Sequence, residues 1–262
     1  MYLSKDFVET AEGLVFAVVD QRLEQGRVMC FLRYVKDGPG WKKFPTESAN
    51  ALLQESFPHY LYYSSVNDVQ LHAVPVENII RHHQPKQRLQ SLLFENAQDS
   101  VEQDLLELCS LLKNRGLNLK QAGVPGLTGA QNADSDIDLV LYGREHFFHC
   151  RRIIQQLLIS NQLQNLSDDD WLMSYERRLC DLSVEEYIRH ERRKFNKAMI
   201  HGRKFDIGLL AQDSTSDPTQ YTKCGKKVLK ATVLDDSRAF DYPSTLKIDH
   251  PQVSECVAFT AT

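Results

Sequence analysis

Zinc-binding and disulfide patterns are missing from this 262-residue sequence. Its six cysteines (Cys30, Cys109, Cys150, Cys180, Cys224, Cys256) lie far apart, with no CxxC pair and no Cys/His spacing suited to zinc, so they read as reduced, mostly buried thiols. No segment approaches the about 18 apolar residues of a membrane-spanning helix, and the opening MYLSKDFVETAEG has no basic start followed by an apolar stretch. A soluble, cytoplasmic chain with no membrane partner is therefore expected. Excess positive charge is lacking as well: 31 Lys and Arg against 35 Asp and Glu give a net charge of -4, which excludes a protein that coats nucleic acid indiscriminately. Neither GxxxxGK followed by Ser or Thr, nor GxGxxG, occurs, which excludes the standard phosphate-binding loops.

What is present is enough apolar material, 42%, for one large core or two modest ones. The runs GLVFAVVD (13–20) and RVMCFLRYV (27–35) flank the polar QRLEQG and predict a strand hairpin. DGPG (37–40) predicts a turn, TESANALLQES (46–56) a short helix, and PVENIIRHHQPK (75–86) a second helix stopped by its last proline. Residues 1–92 are thus expected to form a small α+β domain. Glu9, Arg33, Tyr34, Lys42 and Lys43 read as a solvated polar face, and His82 and His83 as paired surface histidines. A helix is predicted over 100–116, with Ser100 as its cap, Leu105, Leu106, Cys109 and Leu112 as its apolar stripe, and Gly116 as its terminator. Further helices are predicted over 145–161, 168–180 and 183–199, the last with Ser183 and Glu186 at capping-box spacing. Residues 204–210 return to strand character. The tail from 220 to 262 alternates short apolar runs with turn signals, which predicts a β-rich domain; its finish, CVAFTAT, leaves truncation open.

The most informative stretch is GVPGLTGAQNADSDIDLVLYG (123–143). In the strand DIDLVLY, side chains alternate between faces, so Ile137, Leu139 and Leu141 can enter a core while Asp136, Asp138 and Val140 share the other face. Buried carboxylates need a cationic partner, and a divalent metal would supply one. A third carboxylate must come from another strand, and KFDIGLL offers Asp206 between the inward Phe205 and Ile207. The glycine-rich approach can bring backbone N–H groups near phosphates, which singles out Gly126, Thr128, Gly129 and Ser135.

These pieces resemble the DNA polymerase beta-like nucleotidyltransferase superfamily: Gly126 in the loop, SDIDLVLYG from Ser135 to Gly143, and FDIGLL from Phe205 to Leu210. FVETAEGLVFAVV, CFLRYV and DDSRAFDYPS extend the resemblance over nearly the whole chain, toward uncharacterised archaeal and bacterial members with an additional N-terminal domain. It implies an α/β (α+β) architecture, with a catalytic core of mixed sheet and helices over 97–215. It further implies Mg²⁺ or Mn²⁺ held by Asp136, Asp138 and Asp206, and an NTP as substrate. One departure is Leu127, which stands where the superfamily's loop serine is expected, with Thr128 as its neighbour.

Basic residues cluster near the third carboxylate. Arg189, Arg193 and Lys197 lie four apart and would make one stripe if the helix runs through them, suited to a triphosphate or an RNA backbone, or simply a charged face. KCGKKVLK (223–230) could extend that track. The acceptor stays open between an RNA end and a small hydroxylated molecule. The competing class is a nucleotide- or RNA-binding protein that keeps the fold without turnover.

Overall fold

The computed structural model describes residues 1–126, 135–211 and 219–259, which form an α+β protein of six α-helices and several sheets. They cluster into two compact units: 1–87 with 125–126, 211 and 219–259, and 88–124 with 135–210. Among the described residues no helix is long and apolar enough to cross a membrane.

The first unit is built on a seven-stranded sheet. It comprises β1 (Phe7–Thr10), β2 (Leu14–Glu24), β3 (Arg27–Asp37), β4 (Gly40–Lys43), β5 (Leu61–Ser64), β6 (Val69–Pro75) and β7 (Ile79–His83), in the order β5-β6-β3-β2-β1-β7 with β4 on β3. The expected hairpin is β2–β3, closed by Gln25 and Gly26 at φ 50 and 72. Positive φ at both central residues matches the twist of the flanking strands. Alternation sends Leu14, Phe16 and Val18 of β2, and Val28, Cys30 and Leu32 of β3, to one face. Helix α1 (Thr46–Ser56) covers that face with Ala49 and Leu53.

Two expectations fail here. Residues 75–86 are not one helix: a single 3₁₀ turn (Val76–Asn78) leads into β7, which pairs antiparallel with β1. Ile79 and Ile80 are β-branched, and the open edge of β1 gave them a ladder that local pattern could not reveal. The last proline, Pro85, opens α2 (Pro85–Leu92) instead of closing a helix, since a missing N–H costs nothing in a first turn. Nor are the paired histidines idle surface groups. His82 Nε2 lies 2.7 Å from Asp6 and His83 Nε2 2.9 Å from Glu9, across the β1–β7 pair. Of the expected polar face, Lys42 and Lys43 are exposed, but Glu9 pairs with His83 and Tyr34 packs against Phe7 and Val15.

The same unit includes a three-stranded antiparallel sheet in the expected β-rich tail, introduced below in chain order. Before it in the chain comes the second unit. Helix α3 (Ser100–Asn114) is capped by Asp99, one residue earlier than expected, whose Oδ1 accepts the Glu102 N–H at 2.8 Å. Strands β8 (Ala122–Gly123) and β9 (Ile137–Tyr142) are followed by α4 (Arg144–Ile159), α5 (Asp168–Arg178) and α6 (Val184–Arg192). Then come β10 (Lys197–Ile200) and β11 (Arg203–Leu210). The sheet order is β10-β11-β9-β8, with β9 and β11 parallel and both outer pairs antiparallel. Helix α4 packs on β9 and β11, burying Phe147, Cys150, Ile153, Ile154 and Leu157.

The capping box of Ser183 and Glu186 forms as expected. The helix it starts is shorter, ending at Arg192. Phe195 adopts φ 48, and residues from Lys197 onward pair with β11 in a hairpin turned by His201 and Gly202, at φ 49 and 80. Strand pairing outcompeted about two more turns of an exposed helix. The tail then forms β12 (Thr232–Arg238), β13 (Ser244–Asp249) and β14 (Glu255–Ala258). Of the cysteines, Cys30, Cys109 and Cys150 are buried, whereas Cys224 and Cys256 in the tail are exposed.

Candidate functional site

The two acidic strands of the second unit lie side by side. In the parallel pair of β9 and β11, Asp138 stands directly opposite Asp206. Adjacent strands are roughly 4.8 Å apart and partners across them project to the same face, so these carboxylates share one surface of the sheet. Asp136 lies two residues before Asp138, in the same alternation.

Burial along β9 divides it into two parts. Ile137, Leu139 and Leu141 are buried as expected, but so are Val140 and Tyr142, at 2% and 5% exposure. Both faces are therefore covered toward the end of the strand, and only its beginning is open. Asp136 and Asp138 are exposed there, which corrects the premise that they are buried. The occluded member is Asp206: its Oδ1 is buried and makes no hydrogen bond within the described residues. Burial pushes the Asp206 carboxyl up to about 6; the charges of Asp138 and Asp136 add to this, while Lys197 and Lys204 oppose it.

Two lysines accompany the carboxylates. Lys204 precedes Asp206 by two residues on β11, and its Nζ lies 3.5 Å from Asp136 Oδ2. Lys197 stands opposite Asp206 on the other side, in the β10–β11 register. Its Nζ also bonds Glu191 Oε2 at 2.8 Å. Burial works against the Lys197 charge, but Asp206 and Glu191 outweigh it and raise its pKa. Lys197 thus belongs to a strand beside the carboxylates and not to a helical stripe. Arg189 is exposed on α6 and Arg193 is its C-cap, so the stripe of three is not formed.

Ser135 is held through its backbone. Arg203 Nη1 donates to the Ser135 carbonyl at 2.9 Å, while Arg203 Nε donates to Asp104 Oδ2 at 2.6 Å. This guanidinium fastens the entry to β9 onto α3. Burial of Asp104 is outweighed by hydrogen bonds from Arg203 and His201, which lower its pKa. Gly126 has φ 102, a backbone that a side chain would strain. Leu127, Thr128 and Gly129 lie outside the described residues.

Lys204 was legible in the sequence, since period-2 alternation puts it on the Asp206 face. Arg203 and Glu191 were not, because their partners are distant in the chain. The donor set suits Mg²⁺ or Mn²⁺: three carboxylates, all hard oxygen ligands, one with an orphaned buried oxygen. A closed cage is not present, for no group of three or more His, Cys, Asp or Glu among the described residues is gathered tightly enough to hold a metal ion. Mg²⁺ needs no such cage, because it keeps water and is commonly shared between one or two carboxylates and substrate phosphates.

No family model matches the chain, and no solved structure matches it. Uncharacterized protein MJ1086 of Methanocaldococcus jannaschii is 32% identical to it, over 98% of this chain and 84% of that protein. At that identity and coverage, the chain belongs to the same family as the M. jannaschii protein.

Proposed function

We propose that this chain is a metal-dependent nucleotidyltransferase of the polymerase beta-like type, which moves an NMP group from an NTP to a hydroxyl acceptor. The observation that carries this reading is the register of β9 and β11, which sets Asp206 beside Asp138 with Asp136 at the strand's open end. Asp136, Asp138 and Asp206 would hold Mg²⁺ or Mn²⁺, which supplies charge neutralisation for the transferring phosphoryl group. Asp206, whose Oδ1 makes no hydrogen bond within the described residues, is placed to take the proton of the acceptor hydroxyl. The acceptor oxygen then bonds to the α-phosphorus as the bond to the β-phosphate oxygen breaks, and pyrophosphate leaves. Gly126, Thr128, Gly129 and Ser135 would contact phosphates through the loop before β9. The exposed Arg189 and Arg193 are available to an acceptor such as an RNA end.

A second reading has its own observation. Lys197 and Lys204 already neutralise part of the carboxylate charge, as they would in a nucleotide- or RNA-binding protein that has lost turnover. One assay separates the two. Purified protein is incubated with Mn²⁺ or Mg²⁺, each α-labelled NTP and a pool of small RNAs, beside an Asp136→Asn/Asp138→Asn control. Label transfer reduced at least about 10³-fold in the control is the expected result. Metal-dependent NTP binding without transfer to RNA, protein or small hydroxylated acceptors would favour the binding-protein reading.

A further inference from the structure

Glu191 is a carboxylate where none is needed for solubility: its side chain is 4% exposed. It receives two ammonium groups, Lys194 three residues on and Lys197 six residues on. Burying a carboxylate costs several kcal/mol unless it is paired, and a hydrophobic residue would serve packing as well. The consequence of the pair is positional. Lys197 has a side chain only 11% exposed, is bonded to Glu191 at 2.8 Å, and stands on β10 opposite Asp206. Its charge cannot swing away. Lys204 is nearly as buried, at 14% exposure, but it is held less firmly, since its partner Asp136 is 52% exposed and the separation is 3.5 Å.

Resting on the nucleotidyltransferase reading, we infer that Lys197 is a fixed resident cation of the carboxylate site, anchored by Glu191, and that it makes tight metal binding depend on the arrival of nucleotide phosphates. A permanent positive charge several ångströms from the metal position repels a divalent ion, and even in a water-like dielectric the penalty is about tenfold in affinity. The same charge attracts a triphosphate, whose oxygens then add ligands and offset the repulsion. Metal and nucleotide therefore bind cooperatively, by an amount set by Lys197. Lys197 is a positioning residue in this scheme, acting on the metal's affinity without holding the metal.

The test is Mn²⁺ binding by electron paramagnetic resonance, with and without a non-hydrolysable NTP, so that no turnover enters the readout. Wild type is expected to bind Mn²⁺ weakly alone and at least about tenfold more tightly with nucleotide. Lys197→Met should tighten Mn²⁺ binding without nucleotide by about tenfold and shrink the coupling, while Lys197→Arg should leave both near wild type. Lys197→Met/Glu191→Gln removes a positive and a negative charge together and should tighten Mn²⁺ binding less than Lys197→Met does, which separates the charge of the lysine from loss of the buried pair. Unchanged or weakened Mn²⁺ affinity in Lys197→Met, in a wild type that couples metal to nucleotide, overturns the inference alone. If wild type binds no Mn²⁺ under either condition, the nucleotidyltransferase reading falls and this inference with it.

Discussion

The two units each carry a polar side chain among apolar neighbours, and they treat it in opposite ways. His72, 1% exposed on β6, is fully answered: its Nδ1 accepts the Leu32 N–H at 2.8 Å, and its Nε2 then donates to Asn50 Oδ1 at 2.8 Å. Because the backbone partner is a donor, the ring must be neutral, and burial pushes its pKa down to about 4. Asp206 on β11 is left unanswered at Oδ1, and burial pushes it up to about 6. A satisfied buried group rigidifies a core, whereas an orphaned one is a standing cost that needs a reason. In the first unit the polar group serves the fold. In the second, on the nucleotidyltransferase reading proposed above, it serves the ligand.

The sharpest way to break this comparison is to remove each group and measure urea unfolding of metal-free protein. The two tryptophans, Trp41 in the first unit and Trp171 in the second, report the units separately when each is replaced in turn by Phe. His72→Ala should destabilise the first unit by roughly 3 kcal/mol, because it leaves the Leu32 N–H and Asn50 without a partner and opens a cavity. Asp206→Asn should do the reverse and stabilise the second unit at pH 7, by about 2 kcal/mol. Loss of stability in that variant would mean that Asp206 is structural, and the contrast would fail.

The two groups also impose opposite pH slopes. The His72 pKa is depressed when folded, so its contribution is full above about pH 6.5 and is lost as pH falls toward about 4. The Asp206 pKa is raised when folded, so its contribution is full below about pH 4 and is lost as pH rises through about 6. Between those limits the units should respond in opposite senses, and Asp206→Asn should remove only the second slope. At the bottom of the scale stands Arg192→Ala, which breaks an ion pair with Asp168 between side chains 53% and 86% exposed. It should change stability by less than about 0.5 kcal/mol, which shows that neither slope comes from surface charge in general.

Local features were the legible ones. The β2–β3 hairpin, α1, the strand character of both acidic segments and the Ser183 capping box rest on alternation, turn residues and caps within a few positions of one another. Elements that depend on a distant partner were not legible. Residues 79–83 became a strand because β1 offered an edge, and the last turns expected of α6 became β10 because β11 did. The stripe of Arg189, Arg193 and Lys197 was lost by the same substitution of ladder for helix.

For the candidate site, the sequence by itself determined which residues could contribute: Asp136, Asp138 and Asp206, because a period-2 pattern sets each acid apart from its apolar neighbours. Tertiary structure alone decided that Asp138 and Asp206 stand opposite each other, that Asp206 and not Asp136 carries the cost of burial, and that Glu191 holds Lys197 among them. Side-chain period is a property of one strand, but register, burial and ion pairing are properties of strands brought together. They are fixed only when the chain has closed on itself.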